Sequence, residues 1–214
     1  DVSTNGYVKF RSYYFISTII YCFSIFLHCF ATAKRSSMKK KNIIFTVLTV
    51  LAWIFFVGLC IEAGALVVNF IFSLFNPLVL KNLYQKLDLS EMYKKSKVVF
   101  FSMYAFVLMV ALLKAILFYE VIKLVSKLDL NRPFSDFVSK QIRKISYITL
   151  SIGLFSDIAR NITKSITHYG YHTDRINEFW VDGQAFILMA AVLYIIATIF
   201  KRGIELQTEN DSTI

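Results

Sequence analysis

The sequence predicts an all-α, polytopic membrane protein: a helix bundle with a four-helix core and one further apolar transmembrane helix near the N-terminus. Three observations carry this. Apolar residues make up 57% of the 214 and charged residues only 18%, against roughly 45–50% and about 25% in soluble domains. The excess is gathered into blocks, and about 20 apolar residues suffice to cross a hydrocarbon core of roughly 30 Å. The blocks are continuous rather than alternating, which selects helices over a barrel, because in lipid every backbone polar group must be satisfied inside the structure. A soluble bundle would need charges at regular intervals along its exposed helix faces, and the first, second and last blocks lack them. The composition also excludes intrinsic disorder and a disulfide-knot scaffold.

The first block, residues 13–33, has no charge and admits three readings. Lys9 and Arg11 before it and Ala31-Thr32-Ala33 at its end suit a signal peptide. It also suits a genuine span. Alternatively, Met38-Lys39-Lys40-Lys41 before an apolar run looks like a translation start, so residues 1–37 are expected to form an extension and 38–214 the membrane domain.

Within 38–214 the expected spans lie near 43–65, 98–119, 145–162 and 181–200, with a short tail, 201–214. The apolar run 43–75 holds one charge, Glu62, in 33 residues, about 50 Å of helix. Either the helix projects from the membrane, or it ends near Gly64 and an interfacial segment continues to Asn76-Pro77, where proline stops it. Residues 98–119 contain only Lys114. The fourth block is the least apolar, reaching spanning length only by taking in Asp157 and Arg160. Its Ile145, Ile148, Ile152 and Phe155 recur at helical spacing beside Ser and Thr, which suits a helix packed inside a bundle. Residues 183–200 carry no charge.

Loops on the cytoplasmic side of a membrane are enriched in Lys and Arg. Placing 34–41, the loop 120–144 and the tail on one side puts 13 basic residues there and 10 on the other, with Lys114 between. This favours a cytoplasmic C-terminus. The net charge of +10 is accounted for by loop topology and anionic headgroups, and direct nucleic-acid binding is not expected.

Ionisable residues inside a membrane cost at least about 2.5–3.5 kcal/mol on insertion scales, which makes Glu62, Lys114, Asp157 and Arg160 the candidate intramembrane site. Lys114 lies about 9 Å from the cytoplasmic loop by helical rise, within snorkelling reach. Asp157 is the deepest, and Arg160, three positions on, shares its helix face, so the pair reads as an internal ion pair or as a residue at the outer interface. No metal site and no cofactor are expected. His168 and His172 stand four apart with Asp174 and Glu178 near, but Gly170 between them points to a loop. Cys22 and Cys29 are about 10.5 Å apart on one helix, beyond disulfide reach, and with Cys60 read as small buried hydrophobes. A phosphate-binding glycine loop, a G-x-S-x-G elbow and H-E-x-x-H are all missing, so no enzyme is expected.

Two cytoplasmic elements offer docking residues. In the loop 120–144, Pro133 disfavours helix at Arg132, while Ser135 is placed to cap the following helix with Asp136 at its positive end. Arg132, Pro133, Phe134 and Phe137 are its docking candidates. In the tail, Glu205, Leu206 and Glu209 mix acidic and apolar character, as a short amphipathic helix would.

Several stretches taken together resemble a known family: Trp53-Ile54-Phe55-Phe56-Val57-Gly58-Leu59 with Glu62-Ala63-Gly64-Ala65, then Leu128-Asp129-Leu130-Asn131-Arg132-Pro133-Phe134-Ser135, then Ile199-Phe200-Lys201-Arg202-Gly203-Ile204-Glu205-Leu206-Gln207. They resemble the bacterial membrane family catalogued as domain of unknown function 2975, over residues 38–214. The resemblance implies a four-helix protein of the bacterial cytoplasmic membrane with no assigned activity. It also implies a small cytoplasmic helix-turn-helix regulator as partner. The functional expectation is a non-enzymatic membrane partner of such a protein. The alternative is a small transporter or channel subunit using Glu62 and Asp157, which would conduct only as an oligomer.

Overall fold

A computed structural model describes residues 43–75, 90–128, 135–171, 173–177 and 179–212. The apolar block 13–33 and the start near Met38 lie outside them. The regular elements among the described residues are all helices: α1 (Ile43–Phe75), α2 (Ser90–Lys95), α3 (Lys97–Lys127), α4 (Asp136–His168), α5 (Asp174–Asn177) and α6 (Gly183–Ser212). Three of them, α1, α3 and α6, are long and apolar enough to cross a membrane.

The long helices pack chiefly on their neighbours in sequence, α1 on α3, α3 on α4 and α4 on α6. Each pair is antiparallel. Phe55 meets Phe118 while Phe70 meets Phe101, Phe106 meets Phe155, and Ser139 and Ser146 of α4 reach Ala197 and Ala190 of α6. The result is an up-down-up-down array whose core lies on either side of α3. Phe100, Met103, Tyr104, Val107 and Val110 of α3 are buried against Ala63 and Leu66 of α1 and Ile145, Ile152 and Ala159 of α4. The outer faces are apolar and exposed, with Val47, Leu51, Ile54 and Phe55 on α1 and Leu188, Val192, Ile195 and Ile199 on α6. Apolar surface on that scale belongs in lipid.

α1 runs as one helix through Gly58 and Gly64 to Phe75, so the reading that breaks it near Gly64 gives way to the projecting one. The expected loop 120–144 contracts, because α3 continues through Glu120 to Lys127 and α4 starts at Asp136. Ser135 caps α4 as expected, its Oγ accepting from the Val138 amide at 3.4 Å. The tail is likewise no separate helix: α6 continues unbroken past Phe200 to Ser212.

Part of the polar character of α4 is absorbed within the helix itself. Thr149 and Thr163 are fully buried and donate to the carbonyls of Ile145 and Ala159, one turn back. Toward α6 the helix presents a small residue every seven positions. Ser139, Ser146 and Gly153 face Ala197, Ala190 and Gly183, and the two serines donate to the opposing carbonyls at 3.1 and 2.8 Å. A Cβ on Gly153 would stand 2.9 Å from the Gly183 carbonyl oxygen. Small residues at this period let two backbones approach and make direct interhelical hydrogen bonds.

Candidate functional site

Polar chemistry gathers at one end of the array, where α3 finishes, α4 begins and α6 passes. Glu120, near the end of α3, is 3% exposed. Gln141 of α4 spends both amide protons on it, Nε2 donating to Oε2 at 2.5 Å and to the Glu120 carbonyl at 3.1 Å. Lys144, one turn further along α4 and half in solvent, pairs with Oε1, and Lys123 stands 3.9 Å from Oε2. A carboxylate this buried persists only when its charge and lone pairs are met, and here two helices meet them.

On the other side of α4, Arg143 faces α6. With Tyr194, Thr198, Lys201, Arg202 and Glu205 it lines an open pocket of about 410 Å³. Glu205 reaches Lys201 at 3.7 Å and Arg202 at 3.8 Å, so three cations and one carboxylate share the pocket. The Thr198 hydroxyl donates to the Tyr194 carbonyl at 2.9 Å. The Tyr194 ring packs on Tyr147 with centroids 6.2 Å apart. The Arg143 Nε is buried without a hydrogen-bond partner among the described residues. These groups offer positive charge and donors, the chemistry of holding an anion.

The residues singled out from the sequence are dispersed. Glu62 is half-buried on α1 and Lys114 half-buried on α3. α1 and α4 share no substantial interface, so Glu62 and Asp157 sit on helices separated by α3. Asp157 and Arg160 turn to α6 and its approach rather than to each other. The Asp157 carboxyl lies on Gly183, and Arg160 Nη2 donates to the Val181 carbonyl at 3.1 Å. Asp182 stands outside α6 and its Oδ1 accepts from the Ala185 amide at 3.4 Å. Phe137 packs in a small cluster with Val138, Ile142 and Ala197, and the Lys127 ammonium sits 5.4 Å from its ring. Arg132, Pro133 and Phe134 lie outside the described residues. Glu205, Leu206 and Glu209 are exposed on the last three turns of α6. α4 ends at His168, and His172 lies outside the described residues.

Glu120, Gln141 and Arg143 escape a linear reading because Glu120 looks like the first residue of a loop. The available signal is the spacing of Gln141 and Lys144, three apart and so on one face of the following helix.

The opposite end is closed by different means. Lys95 Nζ donates to the carbonyl of Tyr169 at 2.7 Å and lies 4.2 Å from the Tyr171 ring, holding the turn at Gly170, where φ is +74°. Trp180 is buried there and donates to Thr163 Oγ1 at 3.0 Å.

A family model described as "Protein of unknown function (DUF2975)" matches residues 84–214. That stretch takes in α2 to α6, including both walls of the cationic pocket, and begins after α1. No curated protein and no solved structure matches the chain.

Proposed function

The chain belongs to the DUF2975 family of proteins of unknown function, and on that premise we propose that it is a non-enzymatic integral membrane protein presenting a docking helix to a basic cytoplasmic partner. The observation that carries this reading is the continuation of α6 beyond its apolar stretch. Its last 12 residues, 201–212, extend about 18 Å at helical rise. On them Leu206 is 61% exposed beside the carboxylates Glu205 and Glu209, an acidic and apolar surface on a chain of net charge +10. An amphipathic helix with an exposed leucine is a recurrent recognition element, and its charge favours a basic partner such as a small DNA-binding regulator.

The end carrying this segment also carries Lys123, Lys127, Lys140, Arg143, Lys144, Lys201 and Arg202, which supports placing it in the cytoplasm, with the protein in a bacterial inner membrane. The transporter reading lacks such support, since α3 stands between the helices of its two carboxylates.

Co-purification from native membranes tests the docking reading. The full chain should bring down a partner that a chain lacking residues 203–214, or one carrying Leu206→Asp, does not. Identical partner sets for all three would sink it.

A further inference from the structure

We propose that the pocket between α4 and α6 seats the phosphate of an anionic phospholipid, with Arg143, Lys201 and Arg202 as its counter-charges and the Tyr194 hydroxyl as a neutral donor. Five observations converge. The pocket holds three cations against the single carboxylate of Glu205, a net surplus of two positive charges. Glu205 draws Lys201 and Arg202 together, holding two charges in one place at little further ordering cost to a ligand. Arg143 of α4 lines the same pocket as Lys201 and Arg202 of α6, so cations from two helices converge on one ligand position. The Thr198 hydroxyl proton is already committed to the Tyr194 carbonyl, which leaves the Tyr194 hydroxyl as the uncharged donor. The volume of about 410 Å³ suits a headgroup, being at the lower end of small-ligand pockets.

Free phosphate shares this chemistry, but the surroundings favour a lipid. Leu188, Val192, Ile195 and Ile199 form one exposed apolar stripe along α6, and its next position at helical spacing is Arg202, in the pocket. A headgroup bound there would leave its acyl chains lying on that stripe. The pocket opens where the charge-free run of α6 ends at Phe200 and Lys201 begins, the depth of a headgroup. Basic pockets between membrane helices recurrently hold such headgroups.

The experiment uses the full chain in phosphatidylcholine bilayers with and without phosphatidylglycerol, reading lipid retained in native mass spectrometry. The protein should retain phosphatidylglycerol in preference to phosphatidylcholine. The preference should fall about fivefold per cation removed, and roughly a hundredfold in Arg143→Gln/Lys201→Gln/Arg202→Gln. Arg143→Gln alone, expected to cost about fivefold, serves where the triple variant does not fold. Lys94→Gln/Lys97→Gln/Lys164→Gln removes equal charge at the other end and should leave the preference intact. Equal losses in the two triple variants, or an unchanged preference in Arg143→Gln, would overturn the site. Stabilisation by inorganic phosphate in pure phosphatidylcholine matching that by phosphatidylglycerol would overturn the lipid assignment. Partner co-purification is a separate readout, so the docking reading can fail while this site stands.

Discussion

The carboxyl group of Asp157 rests on Gly183, the first residue of α6, so closely that a Cβ built on Gly183 would overlap it, Oδ1 most of all. A helix N-terminus carries partial positive charge, and this contact gives the Asp157 carboxylate of α4 a structural reason to be there. Gly183→Ala should destabilise the protein by about 1–3 kcal/mol through overpacking. Pairing it with Asp157→Ala should recover part of that loss. Thermal unfolding of the four members of the cycle in detergent measures the coupling, and strictly additive effects would remove the contact as the cause.

Tyr104 is fully buried, and its hydroxyl donates to the Leu66 carbonyl at 2.9 Å while its ring stacks on Phe70 at 5.1 Å. Tyr104→Phe should cost about 1 kcal/mol, the worth of one interhelical hydrogen bond. Tyr104→Ala should cost about 3–5 kcal/mol because it also opens a cavity. Denaturant titration of both variants reads the difference, and near-equal losses would contradict the packing.

Gln141 gives both its amide protons to Glu120. Gln141→Ala should therefore destabilise by about 1–3 kcal/mol, leaving a buried carboxylate short of partners. Gln141→Ala with Glu120→Leu should be milder than the single change, because an apolar pair replaces a broken polar one. Unfolding midpoints ordered the other way would show that the network adds nothing.

Lys95 holds the turn after α4 from a position in solvent, so its contribution is modest. Lys95→Met should cost about 0.5–1 kcal/mol, and the loss should be local. Hydrogen exchange should quicken in the last turn of α4 and at Tyr169 to Tyr171 while Glu120 and its neighbours keep their protection. Uniform acceleration along the chain would refute a local clamp.

Much of this fold is legible in the sequence because lipid imposes a length criterion on a single helix without reference to its neighbours. Ile43 to Phe75 and Gly183 to Phe200 announce themselves that way. Polar function is harder to read. Glu120 resembles a loop residue until α4 is laid beside it, and Asp157 resembles an ion-pair partner of Arg160 until α6 arrives. The seven-residue repeat of Ser139, Ser146 and Gly153 goes unremarked in a linear reading, because its meaning depends on Ala197, Ala190 and Gly183 running the opposite way on another helix. Phe137 reads as a docking aromatic because nothing linear places it beside Ala197 of α6.

The sequential arrangement of the four long helices bears on assembly. Each major interface joins long helices that are consecutive in the chain, so every new long helix finds its partner in the one made just before it. Low contact order of this kind favours rapid, stepwise assembly during synthesis. The serine and alanine seam between α4 and α6 is the last of these interfaces to be synthesised, because its α6 side runs from Gly183 to Ala197.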